Sequence, residues 1–162
     1  MVRAGHAPRP GIRGSPTVDR VVNAVPSSSV ERDTSRGGII GVIVLARVHD
    51  PAESGNRPSF LVDRLWPRGI RRAALAGSQW LPDVGPSHEL RKWFGHDPDK
   101  WDEFRRRYFA ELDAHPEVWQ PLVVAAVTGD ITLLYNSSDP LHNNAVALRD
   151  YLRARLDEAE PL

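Results

Sequence analysis

Gly38-Ile39-Ile40-Gly41-Val42-Ile43-Val44-Leu45-Ala46 is the stretch whose reading decides the fold. It is the longest apolar run in the chain, yet far short of the roughly 20 residues that a bilayer demands. As the core of a signal peptide it starts too far from Met1, and no small-residue cleavage pattern follows in Arg47-Val48-His49-Asp50. A buried β-strand from Ile39 to Arg47 fits better: the run is continuous, rich in β-branched residues and ended by His49-Asp50-Pro51.

Working outward, a loop from Ala52 to Pro58 leads to a second strand, Ser59 to Leu65. Pro67 lacks an amide hydrogen and restricts Trp66, so that strand cannot continue inside a sheet. Gly69 permits a sharp change of direction. Ile70 to Ala76 has room for one helical turn. Ser87 is a fitting N-cap for a short helix through Phe94. Asp97-Pro98 opens a longer helix to about Ala114, with Trp101, Phe104, Tyr108, Phe109 and Leu112 spaced as one apolar stripe. His115-Pro116 interrupts, Glu117 to Thr128 forms a further helix, and Gly129 is placed to end it. Ile131 to Tyr135 is a third buried strand. Asp139-Pro140 opens the last helix, to about Leu156, with Ala145, Leu148 and Leu152 inward. The order β, β, helices, β, helix predicts a small α/β domain, a mainly parallel sheet of three or four strands with helices packed on it.

Residues 1–38 are rich in Pro, Gly, Ser and Arg and lack periodicity, which predicts a disordered tail before a single domain at 39–162. The 162 residues contain no cysteine, excluding disulfides, thiolate nucleophiles and Cys-based metal sites, and the expected compartment is the reducing cytoplasm. Basic and acidic residues balance at 21 each, but the tail holds six Arg against three acids. The domain is therefore slightly acidic, which argues against nucleic acid as its general partner.

Four motifs carry a family resemblance: Leu-Val-Asp-Arg-Leu-Trp-Pro-Arg-Gly (61–69), Ser-His-Glu-Leu-Arg-Lys-Trp-Phe-Gly-His (87–96), Glu-Phe-Arg-Arg-Arg-Tyr (103–108) and Thr-Leu-Leu-Tyr (132–135). From about Val44 to Leu156 the chain resembles the YeaO-like family of small bacterial proteins, a domain of unknown function. The resemblance implies no activity. Longer relatives carry a Cys-containing segment near the last strand and helix. This chain has Tyr135-Asn136-Ser137-Ser138 and His142-Asn143-Asn144 there, so thiol chemistry does not transfer.

Two clusters carry candidate chemistry. If the second strand extends to its proline, Arg64 and Trp66 share one face about 7 Å apart and Asp63 points to the other. With Arg68 just beyond, two guanidinium groups flank an indole, a combination suited to phosphate or carboxylate. The alternative is a buried Asp–Arg pair and a core Trp that lock the strand in place. The second cluster is the strand–turn–helix junction of Tyr135, Asn136, Ser137, Ser138, His142 and Asn143, where unpaired helix amides attract anions and His142 offers an acid/base. Asp139 would itself cap those amides. If both strands are parallel, the clusters meet at the carboxyl edge of the sheet, where α/β folds bind ligands. His88, His96, Glu89 and Asp97 match no metal-ligand spacing, and no metal is expected. The charged neighbours of Arg105 to Arg107 make that run a solvated helix face.

The expectation is a small anionic ligand held by Arg64, Trp66, Arg68 and the 136–144 turn, with His142 as acid/base if a reaction occurs. The alternative is a non-catalytic interaction or regulatory module. Nucleic-acid binding through the basic tail is a third reading. The sequence leaves cofactor, reaction and oligomeric state open, and provides no membrane span.

Overall fold

The computed structural model describes residues 40–50 and 54–159. The tail at 1–38, Ile39 and part of the 52–58 loop lie outside the described residues. Four strands form one sheet: β1 (Ile43–Arg47), β2 (Ser59–Leu61), β3 (Ser78–Trp80) and β4 (Ile131–Tyr135). Their order is β1-β4-β2-β3, and every pairing is parallel. The helices are α1 (His88–Phe94), α2 (Trp101–Ala114), α3 (Pro116–Thr128) and α4 (Asn144–Ala159). No helix among the described residues is long and apolar enough to cross a membrane.

Side-chain alternation divides the core in two. Ile43, Phe60, Val62, Ile131, Leu133 and Tyr135 pack with apolar residues of all four helices. Ala46, Leu61 and Leu134 face the other way, joined by Val48, Leu75, Trp66, Ile70 and Trp80. Parallel sheets bury both faces. Here helices cover one face, and the segment after β2 covers the carboxyl half of the other. Ala145, Leu148 and Leu152 are wholly buried on the helical side, as the expected inward stripe of the last helix requires.

The expected strand at 39–47 begins four residues later, at Ile43. Before it, the Val42 amide donates to Asp130 Oδ1 (2.8 Å) and Gly41 N–H to the Ala126 carbonyl (2.8 Å), so these amides are tied to the end of α3 and the α3–β4 turn, and only the Val42 carbonyl, accepting from Ile131 N–H (3.0 Å), reaches β4. A Cβ at Gly41 would meet the Gly129 carbonyl oxygen at 1.8 Å, so only glycine fits this approach. The expected strand at 59–65 ends at Leu61. Val62 N–H still reaches the Leu134 carbonyl (3.1 Å), but at the next residue the Asp63 carboxylate takes over bonding to the neighbouring chain. Strand β3 is an addition to the expected elements. Its Ser78 hydroxyl pairs with that of Ser59 at 2.6 Å.

Helix α1 starts as expected, with Ser87 Oγ accepting from Leu90 N–H (3.1 Å). Asp97 caps a short 3-10 turn that feeds α2. The last helix departs from expectation. Asp139 caps a separate turn, accepting from Leu141 N–H (2.8 Å) and His142 N–H (3.1 Å), and α4 begins only at Asn144. Asn143 is its cap: Oδ1 accepts from Val146 N–H (3.0 Å) and Nδ2 donates to the Asp139 carbonyl (2.8 Å). Because this side chain is buried and doubly bonded, Asn143→Ala is expected to cost about 2 kcal/mol in urea unfolding.

Candidate functional site

Because β2 and β4 are adjacent and parallel, the segments that leave them share the carboxyl edge of the sheet. Asp63 joins them. Its Oδ2 accepts from Asn136 N–H (2.9 Å) and its Oδ1 from Asn144 Nδ2 (3.1 Å), while Asn144 Nδ2 also donates to the Val62 carbonyl (3.0 Å). Burial raises the Asp63 pKa above the ordinary carboxylate value. The Asn144 and Asn136 hydrogen bonds and the charges of Arg91 and His96 oppose that rise.

The 135–144 loop brings its expected residues together, but it satisfies itself. Tyr135 is buried in the helical core. Asn136 N–H is held by Asp63, and Ser137 Oγ accepts from Asp139 N–H (3.2 Å). Ser138 is exposed. His142 Nδ1 lies 2.9 Å from Asp139 Oδ2, and its ring stands edge-on to Trp101 with centroids 5.3 Å apart. The Leu141 amide, and then the His142 ring, hold the Asp139 carboxyl below its usual range. Carboxylates of the protein thus occupy the amides expected to cradle an anion.

The cluster after β2 divides. Arg64 donates from Nε to the Pro86 carbonyl (2.7 Å) and from Nη2 to the Gly85 carbonyl (3.0 Å). It lines a hollow of about 450 Å³ with Tyr108, Glu111 and His115, on the side of α2. Trp66 packs in the other cluster, on the face opposite the four α-helices, beside the short 3-10 turn Arg72–Leu75 that fulfils the helical turn expected within 70–76. Arg64 and Trp66 therefore do not share one face as expected. The alternation that would pair them needs a strand through Trp66, and the strand stops at Leu61. A second hollow, of about 500 Å³, lies at the opposite edge beside Pro58 and Asp130. Neither hollow is lined by the 135–144 loop.

The cation beside Trp66 is Arg72, which sequence reasoning passed over. Its guanidinium lies 4.7 Å from the Trp66 ring centroid and 5.6 Å from that of Trp80. The two indoles meet edge to face at 5.5 Å. Each is pinned by its own N–H, Trp66 to the Ile70 carbonyl (2.7 Å) and Trp80 to the Asp63 carbonyl (2.9 Å). Between them a turn closes from Ile70 N–H to the Pro67 carbonyl, with Gly69 at φ +76°, and Arg68 sits exposed on that turn. Arg71 and Arg72 follow, both exposed. From Arg64 to Pro82 the chain carries four arginines and no acidic residue, the one signal in the sequence that marks this surface. Among the described residues, no group of three or more His, Cys, Asp or Glu side chains converges as a metal site would require.

Comparison with known proteins agrees with the motifs. The "Uncharacterized protein YeaO" of Escherichia coli K12 is 42% identical over 108 residues, 67% of this chain and 94% of its own. An uncharacterized protein of Mycobacterium tuberculosis H37Rv is 44% identical over 68 residues, 42% of this chain and 58% of its own. No solved structure matches the chain significantly. A family model described as the inactive DUF488-N3 subclade matches residues 42–161, and with the YeaO similarity it establishes that the chain belongs to this YeaO-like family, DUF488-N3i.

Proposed function

We propose that the protein binds a small phosphate- or carboxylate-bearing anion at the carboxyl edge of its sheet, on the face opposite the four α-helices, without catalysing a reaction. The observation that carries this reading is the Arg72 guanidinium, 4.7 and 5.6 Å from the ring centroids of two fixed indoles, in a 19-residue stretch with four arginines and no acid. An arginine already placed against aromatic rings loses less further freedom when it pairs with an oxyanion. Arg68 and Arg71, exposed in the same loop, add charge without competing carboxylates.

The reading moves the expected ligand contacts. Trp66 and Arg68 keep their place, Arg72 replaces Arg64, and the loop from Tyr135 to Asn143 becomes a support. His142 would be the acid/base of a catalytic reading. Asp139 and Trp101 hold its ring in a loop whose amides are occupied, and the family carries the description inactive. Those observations favour binding alone. The cysteine-free chain fits a cytoplasmic setting.

Calorimetric titration of the full chain with pyrophosphate and with citrate at low salt tests this. Arg72→Ala is expected to weaken binding about tenfold, and the Arg68, Arg71 and Arg72 triple alanine variant to abolish it. His142→Ala should bind as the parent does. Equal affinity of the parent and the triple variant would overturn the proposal.

A second reading, a protein-interaction module, has one observation in its favour. Val124 and Val127 on the outer side of α3 are 65% and 55% exposed. That reading predicts that Val124→Asp changes sedimentation of the protein with its partner and leaves anion binding intact.

A further inference from the structure

The geometry points to a nucleotide phosphate as the anion of this edge: a planar base laid on the Arg72 guanidinium, with its phosphate met by Arg68 and Arg71. This inference rests on the anion-binding reading above and narrows it to one chemical class.

The indole platform sets the terms. Trp66 and Trp80 each donate their ring N–H to a backbone carbonyl, so neither ring is free to turn toward a ligand. Trp66 also packs against the buried cluster that includes Leu61 and Leu134 of the sheet. What the platform presents outward is Arg72, at 4.7 and 5.6 Å from the two ring centroids. A guanidinium is planar and weakly hydrated over its faces, and Arg72, placed over the Trp66 ring and exposed, is available to a second planar group. The N–H groups of a guanidinium lie along its edge, in its own plane. A simple carboxylate or inorganic phosphate uses only that edge. A ligand with a flat ring and a phosphate beside it uses both, in the way that arginine and aromatic platforms take up bases.

Two further features suit such a ligand. Leu65, directly before Trp66, is 56% exposed and offers apolar surface next to the platform. Arg68 and Arg71 are exposed in the same loop, and the nearest acidic residue after them in the chain is Asp83. The acidic balance of the domain as a whole is thus made elsewhere, and it does not describe this surface. A base beside a phosphate occurs both in a free nucleotide and in a single-stranded oligonucleotide. The site recognises what the two share.

Calorimetry on the full chain at low salt, with inorganic phosphate, ribose 5-phosphate, AMP and a ten-residue oligothymidylate, tests the inference. AMP is expected to bind roughly tenfold more tightly than ribose 5-phosphate, because stacking adds to the phosphate contact. Arg72→Lys keeps the charge but loses the flat face, so it should remove that gain and leave phosphate binding near the parent value. Circular dichroism checks that the variant is folded. An oligothymidylate affinity above that of AMP, falling with salt at a log–log slope of about −2 for three phosphates, marks single strands as the ligand; an affinity at or below that of AMP marks the free nucleotide. Equal affinities for AMP and ribose 5-phosphate would overturn the inference and leave the anion reading standing. No binding of any probe would overturn both.

Discussion

Arg64→Met is expected to lower the unfolding free energy by about 3 kcal/mol and to leave pyrophosphate affinity unchanged. The guanidinium makes two charge-assisted hydrogen bonds, to the carbonyls of Pro86 and Gly85, and both of those residues are buried. Bonds to a charged donor contribute roughly 1.5–3 kcal/mol each, and methionine would leave two buried acceptors without a partner. The Gly85 backbone also sits hard against Arg64: a Cβ there would lie 2.8 Å from the Arg64 nitrogen. The 82–87 loop has other ties to α2, through the Tyr108 hydroxyl to the Val84 carbonyl and the Ser87 N–H to Glu111 Oε2 (2.9 Å). Those ties keep the variant folded, with a midpoint lowered by roughly 10 °C. Arg64→Lys should fall between, since an ammonium matches one carbonyl but not the pair. Urea unfolding and calorimetry separate the two properties. A cost below about 1 kcal/mol, or a loss of affinity like that of Arg72→Ala, would show that Arg64 belongs to the ligand and not to the scaffold.

The contrast between Arg64 and Arg72 shows what was legible in the sequence and what was not. Helix α1 could be placed because its start depends on a local bond, Ser87 Oγ to Leu90 N–H. Strand β4 could be placed because all five of its residues are buried and apolar or β-branched. The parallel sheet, and the meeting of two segments at one edge, followed from the order of elements. Strand β3 was illegible: Ser78-Gln79-Trp80 has no apolar alternation, and the pairing with β2 that creates it is tertiary. The face assignment of Arg64 and Trp66 assumed that a strand ends at its proline. The strand ended earlier because a side chain, Asp63, replaced the backbone as hydrogen-bond partner, an exchange that periodicity does not register. Arg72 reaches Trp66 only through the turn at Gly69, so linear spacing gave no hint of the pair. Asp139 was expected to cap a helix and does cap amides, but of a turn, because Asn143 four residues on provides the cap of α4.

Asp63 carries the other large effect, and here pH separates its two contributions. Asp63→Ala removes the acceptor for Asn136 N–H and for Asn144 Nδ2, and is expected to cost about 3 kcal/mol net of the burial penalty it relieves. Asp63→Asn isolates the charge. An asparagine at 63 keeps one acceptor and sets its amide against the other donor, a fixed loss that does not vary with pH. The carboxylate does vary. Burial raises its folded pKa above the unfolded value, near 3.9, so the folded protein holds this proton where the unfolded chain has released it. Stability from this group is therefore greatest in acid, below the unfolded pKa, and declines as pH rises through the folded one. Measured by urea unfolding from pH 4 to 7, the parent should lose stability relative to Asp63→Asn as pH rises, and the difference should level off once Asp63 is fully ionised. The charge of Arg91 favours the ionised form of this carboxylate, so Arg91→Gln should deepen the decline by removing a cation that offsets the burial penalty. A difference that stays flat with pH, or that grows in favour of the parent as pH rises, would mean that hydrogen bonds outweigh burial at Asp63. The joint between β2 and α4 would then be held by an ordinary surface-like carboxylate rather than by one kept at the limit of its solvation.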